Sequence, residues 1–218
     1  MLENRPMSRK QIPGRNKMAG STLKEVKQKG VMEAALRVMT RQGVESFSMD
    51  DVADEAGVSK GTLYNYFSNK EELVHAAIEH ATYPLQEEID QLFKYDLTPL
   101  QKIQFYTSRI LSYFDNNEEL FRVLLFLRES TQFKKYQRHQ SEKHQVYIQK
   151  VADVLKDGMD LGQIKRLDPV KTAAIILECT ISIISQRTQM ADLSPIEEDV
   201  QLISEIILRG ITKEGAAL

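Results

Sequence analysis

The sequence predicts an all-α protein organised as two helical domains. Apolar residues recur at three- and four-residue spacing almost throughout, and no stretch alternates with the period of two that a half-buried strand needs. The joints between periodic stretches carry capping residues, glycines and prolines. With 218 residues, 42% of them hydrophobic and 28% charged, the chain can bury a sizeable core and still present a polar surface.

Taken in order, residues 1–22 lack an apolar face and contain Pro6, Pro13, Gly14 and Gly20, so they read as a flexible arm. Of the net charge of -2, residues 1–30 carry +6 and the remainder -8. A basic arm on an acidic body can point to a polyanion partner, and a solvated leader explains the same charge equally well. A first helix is expected from about Lys24 to Gln42, with the stripe Val31, Ala34, Ala35, Val38 and Met39 and a stop at Gly43. Gly30 inside it costs about 1 kcal/mol, which suggests a true start near Lys29. Ser48 opens a second helix, with Met49, Val52, Ala53 and Ala56 on one face and Gly57 as its end. Ser59 caps a third, to Tyr66 or Phe67, and Asn69 (or Ser68) a fourth that could reach Lys94, where Pro84 should kink or break it. Further helices are expected from Pro99 to about Phe114, Asn117 to about Ser130, Phe133 to Leu161, Pro169 to about Thr188, and Pro195 to about Arg209 with Gly210 after it.

The third helix is barely two turns long, yet it holds Tyr64, Asn65 and Tyr66. On a wheel with Leu63 at zero, Phe67 falls at about 40°, so these two form a buried edge over Val52, Ala53 and Val58. Gly61, Asn65 and Thr62 fall at about 160°, 200° and 260°, and Tyr64 and Tyr66 flank them at about 100° and 300°. A low front of Gly61 and Thr62 lets a backbone approach base edges in a DNA major groove, and Asn65 can pair with adenine. Phenols on both flanks reach the phosphate walls, and Ser59, Lys60 and Lys70 add N–H groups and charge at helix N-termini. Tyrosines on a short helix are more often half-buried packing residues, and two helices about a glycine bend also occur in proteins that bind no DNA.

Residues 27 to 75 resemble the DNA-binding domain of the TetR (tetracycline-repressor-like) family of bacterial regulators. The resemblance rests on Val31-x-x-Ala34-Ala35, Gly43, Phe47-Ser48-Met49-Asp50-Asp51-Val52-Ala53, the run Ala56 to Phe67, and Asn69-Lys70-Glu71-Glu72-Leu73. It implies phosphate contacts at Ser48, Tyr64, Tyr66 and Lys70, and base or backbone contacts at Ser59, Lys60, Gly61, Thr62 and Asn65. Gly30 and the long basic arm depart from the family pattern. Some relatives use such an arm in the minor groove, which for Arg5, Arg9, Lys10, Arg15 and Lys17 is an open question. The resemblance divides the chain into an arm (1–22), a helix-turn-helix DNA-binding domain (23–75) and a helical effector-binding and dimerisation domain (76–218).

The penultimate helix, with Ala173, Ala174, Ile175, Ile176, Leu177, Ile181, Ile183 and Ile184, shows little polar face, and the last has Val200, Ile203 and Ile207 on one edge and Leu202 and Ile206 on another. A homodimer through these two helices follows, against the simpler reading of burial within one chain. Candidate effector contacts are Arg109 among Phe105 and Tyr113, Glu178 inside an Ile-rich helix, and Phe126 and Tyr147; plain core or rim ion pairs are the competing reading for each. An aromatic-rich pocket favours an apolar or amphipathic small molecule.

Enzyme chemistry is not expected. Glu72-x-x-His75 is half of a di-iron pair, but none of His80, His139 and His144 has a glutamate three residues before it. His75/His80 and His139/His144 are each five apart, not the four that align two imidazoles. Cys179 is the single cysteine, so neither a disulfide framework nor a thiolate zinc site can form. No phosphate loop, dinucleotide motif or nucleophile elbow occurs, so no cofactor and no metal are expected. No apolar leader or span is present, and a cytoplasmic, membrane-free protein is expected. The reading is a ligand-responsive, DNA-binding repressor on a palindromic operator, with a helical ligand- or protein-binding dimer as the alternative.

Overall fold

The computed structural model describes residues 23–130, 132–190 and 194–212, so the N-terminal arm lies outside the described residues. The helices are α1 (Leu23–Gln42), α2 (Met49–Ala56), α3 (Lys60–Tyr66), α4 (Lys70–Leu92), α5 (Pro99–Asp115), α6 (Glu118–Glu129), α7 (Lys134–Asp160), α8 (Pro169–Met190) and α9 (Ile196–Ile203). α9 continues through a π-helical turn, Ser204–Leu208, into a short α10 (Arg209–Ile211). Among the described residues no helix is long and apolar enough to cross a membrane.

Three apolar clusters hold the chain. The first joins Val31, Ala35, Val38 and Met39 of α1 to Val52, Leu63, Phe67, Leu73 and Ala77, and takes in Val123, Leu127, Phe133 and Tyr136 from the second half. The second packs α4 beyond Thr82 against α5, α7 and α8 through Leu85, Ile89, Ile103, Tyr106, Val151, Leu155, Ala173 and Ile176. The third sits where α5, α6, α8 and α9 meet, around Leu111, Phe121, Ile184 and Ile203. α4 therefore contributes to two of the clusters.

Three expectations are corrected. α1 does not start at Lys29; it runs through Gly30 from Leu23. The Lys29–Glu33 pair spans the glycine at 3.7 Å, and one such residue is a small cost against a continuing hydrogen-bond ladder. Pro84 does not break α4, which goes on to Leu92 because Leu85, Ile89 and Leu92 are buried beyond it. The Tyr113 hydroxyl donates to the Ala81 carbonyl at 2.6 Å, a polar brace close to the proline. Gly210 lies inside the last helical turn instead of after it, and that end is tied back by Lys165, whose backbone N–H donates to Ile211 O at 2.9 Å.

A buried Arg187 on α8 fixes the far end of the second half. Its guanidinium meets Asp115 at 2.9 Å and Asp199 at 2.6 Å and donates to the Ser194 carbonyl at 2.7 Å, joining α5, α8 and α9. The pairing outweighs the cost of burial only because every donor direction meets an acceptor.

Candidate nucleic-acid interface

The α2–turn–α3 unit is built from local chemistry. Ser48 forms a capping box with Asp51: its Oγ accepts from Asp51 N at 3.2 Å, and Asp51 Oδ2 accepts from Ser48 N at 2.7 Å. Those bonds from Ser48 hold the Asp51 carboxyl below the ordinary aspartate range. Gly57 closes α2 in the left-handed region at φ 64°, and Val58 N donates to Ala53 O at 3.0 Å. Ser59 then caps α3, accepting from Thr62 N at 3.1 Å, while the two hydroxyls lie 2.8 Å apart. Arg37 and Arg41 of α1 clamp Glu55 of α2 at 2.8 and 3.0 Å and hold its carboxyl low.

On α3, Leu63 is fully buried and Phe67 nearly so, which aims the opposite face at solvent. Gly61, Tyr64 and Asn65 are exposed, with Tyr64 at 45%. Among the described residues neither the Tyr64 hydroxyl nor the Asn65 amide makes a hydrogen bond. Tyr66 is half-buried, edge-on to Phe67 at 6.5 Å, and Thr62 is half-buried under its bond to Ser59. The helix thus presents one prominent phenol and one recessed one.

The cations are engaged in ways that the sequence did not reveal. Lys60 Nζ pairs with Asp50 at 2.8 Å on the surface, and the carboxylate raises the lysine's pKa. Lys70 Nζ donates to Glu45 O at 2.8 Å and Phe47 O at 2.6 Å and lies 4.1 Å from the Phe47 ring centre. Burial lowers its pKa, with Glu45 and Asp51 opposing. It ties the start of α4 to the loop that delivers Ser48.

The six candidate effector residues do not converge. Phe105 and Arg109 line a cleft of about 610 Å³ between α4 and α5, with Glu87, Glu88, Leu92 and Tyr95. Tyr113 sits one turn further on α5, its ring 5.8 Å from the Arg109 guanidinium. Tyr147 packs against the second cluster with its hydroxyl pushed up to about 12 by burial, and Phe126 is exposed. The premise of a buried charge fails for two of them. Arg109 is partly exposed and paired with Glu88, and Glu178 is half-exposed, 3.2 Å from His144 and 3.5 Å from Arg128. α8 also has a polar face, since Glu178, Ser182 and Gln186 are exposed.

A seam between α4 and α7 was missed altogether. The Glu71 carboxylate accepts from the backbone N–H groups of Lys135 and Tyr136 at 2.9 and 3.3 Å. His75 packs on His139 with ring centres 4.7 Å apart, Glu79 pairs with Lys143, and Asp90 with Lys150 at 2.5 Å. The two helices run parallel here, with polar rungs largely one turn apart. The four-residue spacing of Glu71, His75 and Glu79 was a legible signal; the partners on α7 were not.

A short helix anchored by Leu63 and Phe67 behind an αL glycine, presenting an amide and a phenol, has the geometry of a helix-turn-helix unit. Residues 31–77 match the family model for bacterial regulatory proteins of the tetR family. The chain is 26% identical over 204 residues, 87% of its length and 96% of the relative's, to the uncharacterized HTH-type transcriptional regulator YfiR of Bacillus subtilis. Its fold is similar to that of the transcriptional regulator FadR from Bacillus subtilis, solved in complex with stearoyl-CoA (TM-score 0.74, 21% identity, 84% of this chain and 98% of that one). It is also similar to that of SmeT, the repressor of the Stenotrophomonas maltophilia multidrug efflux pump SmeDEF (TM-score 0.71, 20% identity, 88% and 93%). Residues 31–77 are thus similar to the DNA-binding domain of the tetR family, and the chain over most of its length is similar to an HTH-type transcriptional regulator.

Proposed function

We propose that the protein is a homodimeric repressor that leaves a palindromic operator when a small apolar or amphipathic molecule binds residues 76–218. The observation carrying this reading is the exposed, unpartnered edge of α3, Gly61, Tyr64 and Asn65, on a helix whose other edge is locked in the core. Asn65 reads a base edge; Tyr64, with the N-terminal groups of α3, positions the helix on phosphates. Ser48 and Ser59 act first as caps, and Thr62, bonded to Ser59, shapes the surface beside them; Lys60 exchanges Asp50 for a phosphate, and Tyr66 and Lys70 complete the flank.

Dimerisation follows from apolar side chains that the monomer leaves uncovered on its last helices: Ile175 at 60% exposure, Leu202 at 49% and Ile206 at 66%. A second copy related by a twofold axis covers the same patch on both chains and sets two α3 helices about 34–36 Å apart, one duplex turn. The effector class is supported by the α4–α5 cleft, whose walls include Leu92, Leu97, Tyr95 and Phe105, with Arg109 as the polar end. A fold neighbour solved with stearoyl-CoA suits that chemistry.

A mobility-shift titration on the DNA upstream of the protein's own gene tests the reading. A retarded band that weakens steeply with salt and is competed poorly by unrelated duplex is the expected result. Equal retardation of all duplexes, or none at low salt, overturns it in favour of a helical binding dimer.

A further inference from the structure

We propose that His75, Glu79 and His139 form a divalent transition-metal site, of the kind that takes Zn²⁺, which cross-links α4 to α7. The donor atoms of the three side chains all lie within 4.8 Å of one another. His75 and Glu79 are one turn apart on α4, and His139 faces them from α7, its Nε2 3.7 Å from Glu79. Two imidazoles and one carboxylate are a borderline donor set suited to zinc and its neighbours and poorly suited to calcium or magnesium. A fourth position is left for water.

Burial lowers the His75 pKa; the charges of His139, Lys143 and Lys135 act with it, and that of Glu79 acts against. Lys143 is the resident competitor. Its ammonium is hydrogen-bonded to both Glu79 oxygens, with the Gln86 side-chain oxygen 3.4 Å away as a second acceptor to which it can retreat. Among the described residues the other histidines each meet a single carboxylate: His80 meets Glu33 at 3.6 Å, and His144 meets Glu178.

Zinc–nitrogen bonds of about 2.0–2.1 Å bring tetrahedral ligands within roughly 3.3–3.4 Å of each other. Loading the site therefore draws α7 toward α4 near Tyr136, a residue buried in the same cluster as α1, Leu63 and Phe67. The consequence for DNA, a changed operator affinity, rests on the proposed function; the site itself does not.

The full chain, stripped with chelator, is titrated with Zn²⁺ against a chromophoric competitor and with Co²⁺ by visible absorption. One equivalent per chain is expected. His139→Ala should weaken binding by more than ~100-fold, beyond the loss typical of a supporting residue. His80→Ala and His144→Ala should leave it unchanged. Lys143→Met should tighten it about fivefold, an effect that damaged folding cannot produce. Unchanged affinity in His139→Ala, or weaker binding in Lys143→Met, overturns the site. Operator affinity is then measured with chelator and with Zn²⁺. A change of at least about fivefold in the parent chain that is absent in His139→Ala supports the coupling, and equal affinities overturn it. A mobility shift in chelator without zinc binding sinks the site alone; zinc binding without any mobility shift sinks the repressor reading alone.

Discussion

Replacing Lys70 with methionine separates two roles that its position at the start of α4 allows. Methionine keeps the stem against Phe47 and removes the ammonium. Two charge-assisted hydrogen bonds go, to Glu45 O and Phe47 O. Each is worth about 1.5–3 kcal/mol when dry, and about 1 kcal/mol here because the group is only partly buried and water can reach the carbonyls. The cation–ring contact adds about 0.5 kcal/mol, and taking a cation off a helix N-terminus returns about 0.3–0.5 kcal/mol. The net loss is about 2 kcal/mol, or about 4–8 °C in the melting midpoint for a chain of this size. Melting followed by circular dichroism reads that number, and operator binding measured across a salt series reads the other role. If Lys70 is mainly the tether of the Ser48 loop, affinity falls by a similar factor at every salt concentration and the slope of log affinity against log salt is kept. If it is mainly a phosphate ligand, the slope drops by about 0.9 per site. A flattened slope with a melting midpoint moved by less than about 1 °C would refute the tether reasoning.

Asn65→Ala should leave the melting curve unchanged, lower affinity for the operator by about 1–3 kcal/mol and relax preference at one base pair per half-site, read by binding to a library of operator variants. Gly30→Ala should stabilise α1 by about 0.5–1 kcal/mol in chemical denaturation, since an added Cβ meets nothing within 4 Å. Gly57→Ala has equally open space but sits at φ 64°, so the same experiment should show a loss of about 1–2 kcal/mol. Arg187→Leu should cost about 3–5 kcal/mol and shift the urea midpoint down, because Asp199 and Asp115 keep their charges without the guanidinium.

What the sequence disclosed was what short-range chemistry decides. Ser48, Ser59 and Asn69 mark helix starts because a cap bonds an N–H two or three residues on, and Gly57 marks a stop because its φ suits few other residues. The burial of Leu63 and Phe67 followed from the helical period alone. Gly30 and Pro84 were overweighted because their local penalties are outmatched by ladder continuity and by burial downstream. The tie of Lys70 to the Ser48 loop was not legible beside its expected phosphate contact, because its acceptors are backbone carbonyls, which every residue has and no sequence pattern advertises. Arg109 and Glu178 looked like charges inside apolar helices because their partners, Glu88, Arg128 and His144, stand on other helices.

α4 is where these strands of the argument join. Its first residue holds the loop that carries Ser48, and its first two turns are sealed into the DNA-binding core by Leu73, Val74 and Ala77. Its later turns are held by α5 through Ala81 and Glu88, and by α7 through Glu79 and Asp90. The α4–α5 cleft and the α4–α7 seam therefore grip the same rod from two sides. A helix of 23 residues with an intact hydrogen-bond ladder does not absorb a push at one end by bending locally unless its ladder is interrupted, and Pro84 supplies the one missing backbone N–H along it. A ligand wedged beside Phe105 acts beyond that point and a cation at His75 acts before it. Movement from the cleft must then pass the proline brace at Tyr113 and Ala81, whereas closure of the seam reaches Lys70 along unbroken helix. For that reason Tyr113→Phe, which removes the brace and keeps the ring, should change the effector's influence on operator affinity more than it changes the effect of Zn²⁺; equal changes in both would mean that the two inputs share one path.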